Sequence, residues 1–382
     1  MSHKPTPRPR PRRRHFKPPF CPNPHCRFHH PSPHWHYVYI GTAWRSSDRR
    51  RIPRARCSAC GRTFRSSAFR STYWLRYRHL LSTIARLSVA GCGLRQIART
   101  LGITHATVAR HLARAGRHCL LFHAQILQDL AICEPIVADG FETFEYSKYF
   151  PCHYNLAVGA TSHFLYFFTD SPLRRKGRMT PEQLRRRAEL EAKLGRPNPR
   201  AIELAMTELV RQVVRRVRKG GELELRTDEH PDYPRALRRL RRTETRCPRI
   251  VHLTTHSTAP RTPQNPLFAV NHTDGFLRHS HANHRRKTIA HNKRRQGGLE
   301  KAAIFTVWRN LVKRRDENGP ERSAAMVAGI AERMVTWREV FRWRLFPTRI
   351  SLPPPWDRYY RREVKTAVYG SRGVVHRARY AF

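Results

Sequence analysis

Apolar residues recur along this chain with two different periods, and the switch between the periods divides it. The stretches "STYWLRYRHLLSTIARLSVAG" (residues 71–91) and "CGLRQIARTLGITHATVARHLARAG" (92–116) space them three and four apart, as helices with one buried face do. Three short runs follow, "LAICEPIVADGFETFEY", "CHYNLAVGATS" and "HFLYFFTDSP", in which apolar residues alternate or run on, as in strands at hairpin distance. Residues 180–218 return to the helical period and are closed by Gly220 and Gly221. Then "ELELRTDEHPDY" predicts a strand ending at Asp228, "PDYPRALRRLRR" a helix, and "RIVHLTT" a strand. The stretch from 270 predicts a helix running through His284, and "LEKAAIFTVWRNLVKRR" and "SAAMVAGIAERMVTWREVFRWRLF" predict two more.

Three antiparallel strands, then helices, a strand, a helix, a strand and a helix, is the element order of a ribonuclease H-like core. The chain is therefore expected to be α/β and multi-domain, with that core over residues 125–315. The helical piece at 174–219 interrupts it, either as an added DNA-contacting or dimerising subdomain or as a long version of the first helix of the fold.

Charge narrows what such a chain can bind. Lysine and arginine number 75 against 27 aspartate and glutamate, a formal net charge of +48. Self-repulsion on that scale points to a polyanionic partner, and nucleic acid fits best. The basic residues are spread over every segment, which argues against a single membrane-surface helix. No apolar run is long enough to span a bilayer, and "MSHKPTPRPRPRRRHF" has no secretory apolar stretch, so residues 1–20 read as a disordered basic arm. Nine cysteines without a secretion signal fit a reducing compartment, here cytoplasmic and nucleoid-associated. Residues 316–382 form a basic, aromatic C-terminal region, where Trp337, Phe341 and Trp343 either stack on nucleic acid or fill a small helical cap.

Two cysteine knuckles lie near the start, Cys21 and Cys26 in "CPNPHC" and Cys57 and Cys60 in "CSACGRTF". With a strand-like segment between them they would hold one structural Zn2+ as a ribbon over residues 21–67, although His25, His29 or His30 could replace a cysteine of the first knuckle. Cys92, Cys119, Cys133, Cys152 and Cys247 show no such pattern. Over residues 71–120 the helical stretches carry the marks of a helix-turn-helix: Ala98 where helices cross, Gly102 in the turn, Thr104 as cap and Val108 inward. His105, Thr107, Arg110, His111 and Arg114 would then face the groove of double-stranded DNA.

Aspartates stand on three elements of the core: Asp139 in its first strand, Asp228 at the end of its fourth, and Asp274 in the late helix. Asp274 is the only carboxylate between Glu244 and Glu300. In the expected order the first strand is central, the fourth lies beside it and the late helix crosses nearby, so the three would converge. Carboxylates about 4 Å apart repel by roughly 4 kcal/mol per pair at an effective dielectric near 20. Such a cluster implies cations, two Mg2+ or Mn2+ ions of the kind that activate one oxygen and stabilise another in phosphodiester chemistry. Simpler roles compete: a strand terminus for Asp139, a helix cap for Asp228, a pair with Arg278 for Asp274. Glu300, expected to follow a break at Gly297–Gly298, is the alternative third acid. Glu142, Glu145, Asp170 and Glu229 read as supporting or surface residues.

Taken together, "CSACGRTF", "DGFETFE", "LRTDEHPDY" and "LRHSHANHRRKT" resemble the DDE-type insertion-sequence transposases, most closely the insertion sequence 1 family, over residues 21 to about 310. Leu277, Arg278, Arg286, Lys287 and Thr288 fall at family spacing. The resemblance implies a metal-dependent polynucleotidyl transferase that binds the ends of its mobile element, cleaves there and joins them to target DNA as a homo-oligomer. It gives Asp139 and Asp228 the first two metal-ligand places. Asn271 stands where the family has glutamate, and Asp274, one helical turn on, takes the third. His272, Arg278, Arg286 and Lys287 are expected on phosphates. A non-catalytic DNA-binding regulator is the rival expectation.

Overall fold

The computed structural model describes residues 16–46, 49–285 and 287–372. An antiparallel sheet of β1 (Tyr37–Arg45), β2 (Arg50–Cys57) and β3 (Thr63–Arg65) comes first, followed by α1 (Leu81–Val89), α2 (Leu94–Leu101) and α3 (His105–Ile126). Next are β4 (Ile136–Phe144), β5 (Pro151–Gly159) and β6 (Leu165–Pro172), then α4 (Pro181–Leu194) and α5 (Ala201–Val214). The order continues with β7 (Glu222–Asp228), α6 (Asp232–Thr243), β8 (Arg249–Thr255), α7 (Phe268–Ser280) and α8 (Arg295–Val307). Three short helices close it: α9 (Ala324–Val327), α10 (Trp337–Val340) and α11 (Pro354–Arg361).

The second sheet has five strands in the order β6-β5-β4-β7-β8. β4, β5 and β6 pair antiparallel, while β7 runs parallel to β4 and β8 parallel to β7. β4 is thus central with β7 beside it, the mixed α/β arrangement that brings Asp139 and Asp228 to neighbouring strands. Every residue from Cys152 to Gly159 is buried, so β5 is covered on both faces. α5 packs on β5 and β6, and α7 on β4 and β5.

One apolar cluster runs through α1–α3, the five-stranded sheet, α5–α8 and α11. α3 meets α8 closely because Gly116 has no side chain; a Cβ there would lie 2.4 Å from the Glu300 carbonyl oxygen. Phe20 is buried against Phe69 and Phe346, so the end of the expected disordered arm is packed, while residues 1–15 lie outside the described residues.

Several expectations are corrected. The helical piece after β6 splits in two: α5 is a buried crossover helix of the sheet, whereas α4 buries no residue. α7 stops at Ser280, short of His284. Gly297 and Gly298 lie inside α8 and do not break it; a Cβ on Gly298 would meet the Tyr154 hydroxyl at 2.4 Å, so the glycine admits close helix-on-sheet packing. Residues 323–346 hold only α9 and α10, since Gly329 takes a left-handed φ of +68° directly after α9. No helix among the described residues is long and apolar enough to cross a membrane.

Candidate functional site

The two cysteine knuckles meet. The sulfurs of Cys21, Cys26, Cys57 and Cys60 all lie within 4.8 Å of one another, with Cys21–Cys60 at 3.7 Å and Cys26–Cys57 at 3.8 Å. Burial alone would raise the Cys57 thiol, but the Trp35 indole N–H, 3.2 Å from its sulfur, and nearby backbone N–H groups bring it down to about 7. Four convergent sulfurs, one of them disposed to ionise, suit a tetrahedral structural Zn2+. His29 is not a substitute ligand, because its ring nitrogens are taken by the Cys21 carbonyl and the Thr348 hydroxyl. The other five cysteines are unpaired thiols, with Cys119 and Cys152 buried.

The helix-turn-helix marks are all present. Gly102 ends α2 in the left-handed conformation, the Thr104 hydroxyl accepts from the Thr107 N–H, and Ala98 and Val108 are buried. His105 and Arg110 are exposed and Thr107 is half-buried, so the first turns of α3 offer a polar surface. His111 and Arg114 do not, contrary to expectation. The His111 ring is buried between the carbonyls of Thr107 and Tyr77, and Arg114 donates to the carbonyls of Ser71 and Tyr73. The linker at 71–77 wraps this side of α3 and uses both side chains to satisfy its own backbone.

At the five-stranded sheet, Asp139 stands on β4 and Asp228 ends β7, while Asp274 is buried on α7. Asp139 is pushed up to about 6, first by burial and then by the charge of Asp228; the Gly140 N–H, the Tyr233 hydroxyl and Arg261 oppose this. Asp274 is pushed well above the carboxylate range by burial and by Asp139, with Arg278 and Arg261 opposing. Asp139 thus feels the charge of Asp228, and Asp274 that of Asp139. They are not as compact as the sulfurs: among the described residues only the four cysteines form a ligand group within 4.8 Å. The separation expected from sequence, about 4 Å for all three, is corrected accordingly, since unscreened carboxylates repel. One Asp274 carboxylate oxygen is buried with no hydrogen-bond partner, a costly state that a cation would relieve. Carboxylate oxygens are the donor type that hard divalent ions take, but these three do not gather into one ligand group among the described residues.

Competing roles are partly realised. Asp228 accepts from the His230 N–H at 2.9 Å, capping the turn into α6. Asn271 is half-buried one turn before Asp274. Glu300 is engaged elsewhere, buried on α8 with Arg362 at 2.9 Å and Gln296 beside it. Arg278 is not free for phosphate: it donates to the carbonyls of Glu142 and His284, tying α7 to β4. His272 is stacked between Phe268 and Phe276, which corrects its expected phosphate role. Lys287 is exposed, and Arg286 lies outside the described residues. Glu145 is buried and bonded to Thr366, and the covered side chain of Asp170 is bonded to Arg295 and Tyr359.

Two residues escaped the sequence reading. Tyr233 donates to Asp139 Oδ1 at 3.0 Å, and exposed Arg261 opposes the charge of both Asp139 and Asp274. Tyr233 had a signal, an aromatic one turn beyond Asp228 in "TDEHPDY"; Arg261, in a loop of threonine and proline, had none.

Comparison with known proteins bears on one part of this arrangement. Curated proteins give no significant match. A chain from the cryo-EM structure of the simian T-cell lymphotropic virus intasome in complex with PP2A regulatory subunit B56 gamma is similar at 14% identity, covering 66% of this chain and 74% of that one. Its TM-score of 0.22 is too low to carry an argument. Residues 82–115 match a helix-turn-helix domain family, so α1–α3 form a DNA-binding unit of that type.

Proposed function

We propose that this protein is a DNA transposase of the three-aspartate type, with a ribonuclease H-like core over residues 125–315. It binds the ends of its mobile element through the ribbon and the helix-turn-helix, cleaves a strand there and transfers it to target DNA. The observation that carries this reading is buried Asp274, one oxygen of which has no partner, within range of the charge of Asp139, which in turn feels that of Asp228. Strand order β6-β5-β4-β7-β8 adds support, since a ribonuclease H-like core collects its acids on the central strand and its neighbour.

In this reading Asp139, Asp228 and Asp274 hold two Mg2+ or Mn2+ ions. When bound, the ions supply a nucleophilic oxygen and stabilise the leaving one. The residues of the chain do the rest. Tyr233 holds Asp139 by its hydrogen bond, and Arg278 ties α7, which carries Asp274, to β4, which carries Asp139. Arg261 brings positive charge to the approaching phosphate. Four ribbon thiolates hold Zn2+ and set the ribbon for DNA, with His105, Thr107 and Arg110 toward the groove. Joining two element ends in one reaction calls for a homo-oligomer.

A supercoiled plasmid carrying the element ends tests the reading. Nicking with Mg2+ or Mn2+, lost in Asp139→Ala while DNA binding persists, supports the enzyme. Binding without nicking under either metal would leave a non-catalytic regulator, the reading that Asn271 in place of the family glutamate favours.

A further inference from the structure

We infer that Tyr77, with Trp74 before it in the linker between ribbon and α1, is an aromatic contact for duplex DNA, stacking on bases beside the groove that α3 reads. The inference rests on the DNA-binding reading above and adds to it residues that neither the ribbon nor the helix-turn-helix contains. The helical period of residues 71–91 fails at its start, since α1 begins only at Leu81. The backbone before it shows why. Trp74 and Tyr77 both take left-handed conformations, with φ of +63° and +47°, which cost a bulky side chain free energy that glycine does not lose. Other residues in this conformation have a local reason. Arg49 and His163 turn the β1–β2 and β5–β6 hairpins, Arg362 ends α11, and the Tyr146 ring packs against Phe150 and Tyr369. Tyr77 has no such compensation: among the described residues no hydrogen bond or ring contact engages its side chain, and it is 51% exposed.

Neither ring hangs on a slack chain. Arg114 of α3 donates to the carbonyls of Ser71 and Tyr73 at 3.0 and 2.9 Å. The Tyr77 carbonyl lies 3.3 Å from the His111 ring and accepts from the Leu80 N–H at 2.9 Å. Trp74, itself exposed, follows directly on the first anchor, with Tyr73 edge-on at 5.7 Å. The second anchor gives Tyr77 a defined place. His111 stands next to exposed Arg110 and four residues of helical rise, about 6 Å, beyond Thr107, so Tyr77 leaves the backbone within a turn or so of the surface that α3 offers. Apolar and aromatic side chains beside bound DNA insert against base steps and stack there whatever the base. A backbone already fixed loses little further freedom on doing so, which is what the two hydrogen-bonding side chains of α3 supply.

Binding of the full chain to a random-sequence duplex, followed by fluorescence anisotropy through a KCl titration, tests the contact. Phosphate contacts set the slope of log K against log salt, whereas a stacked ring adds affinity without slope. Tyr77→Gly is expected to weaken binding about tenfold at every salt concentration with the slope unchanged. Its thermal midpoint should not fall, because glycine takes the left-handed conformation freely. Trp74→Gly should behave in the same way, and Tyr77→Phe should keep the wild-type affinity. Unchanged affinity in Tyr77→Gly overturns the contact while DNA binding itself stands. A thermal midpoint that falls together with the affinity overturns it too, by making the ring part of the fold, and so does a Tyr77→Phe chain as weak as Tyr77→Gly. A wild-type chain that binds no duplex overturns the DNA-binding reading itself.

Discussion

Asp139 is where a single side chain carries the most consequence. Burial first, and Asp228 second, hold its proton to about pH 6 against the ordinary 3.8. A carboxyl with a raised folded value contributes stability that is present below about pH 4 and is lost as pH rises through about 6. Asp139→Asn should therefore stabilise the metal-free protein near pH 7 by on the order of 2 kcal/mol while abolishing cleavage. Urea midpoints in EDTA read this, and a neutral-pH midpoint below that of wild type would mean the acid is not strained. Added Mg2+ should raise the wild-type midpoint and leave Asp139→Asn unmoved. Acids of this kind are visible in a sequence because a charge inside "IVADGF" is an anomaly wherever it folds. Their neighbours are less visible: Tyr233 and Arg261 reach the acids only through the crossovers between strands. His111 and Arg114 were misplaced for a related reason, since helical spacing locates a face and says nothing of a linker wrapped across it.

Elements were legible where one period governed a whole segment. The strands β4 to β8 fall on the runs that alternation picked out, and α5 and α6 on the helical ones. The segment 323–346 failed because its apolar residues serve several neighbours and not one continuous face: Trp337 and Phe341 are buried, Trp343 is exposed. Two expectations belong at this scale. Gly116→Ala would drive a methyl into the Glu300 backbone, so it should separate α3 from α8 and cost about 1–3 kcal/mol, read as a lower thermal midpoint. The ribbon has its own small cluster of Cys21, Cys26, Trp35 and Cys57, distinct from the main core. The purified protein is thus expected to carry one zinc per chain. Chelation should strip hydrogen-exchange protection from β1–β3 while the five-stranded sheet keeps its own, and protection of β1–β3 that survives zinc removal would refute the metal assignment.

Across the whole molecule a net charge of +48 coexists with a continuous interior that ties the helix-turn-helix to the sheet and to α11. Some charge enters that interior, as Arg117, Arg309, Arg344 and Glu300 do, whereas burial holds the interior histidines neutral. Burial lowers His118, on α3 against the Val340 carbonyl, to about 4. It does the same to His123, against the Tyr166 carbonyl, and to His153 on β5, beside Asn155. Each value lies below the ordinary 6.5, so the unfolded chain takes up these protons first. Their stabilisation is complete above about pH 6.5 and is lost as pH falls toward 4. A shift of that size is worth about 3 kcal/mol per histidine, and three together rival the whole stability of a typical domain, about 5–15 kcal/mol. Because His118 and His153 lie on α3 and on the sheet, joined by one core, the loss should be cooperative. Circular dichroism and intrinsic tryptophan fluorescence followed from pH 7 to pH 4 should show a single coincident transition in the lower half of that range. In His118→Gln the transition should move to lower pH, because one proton-linked penalty is gone. Two separated transitions would show that the DNA-binding helices and the sheet do not share the interior described above.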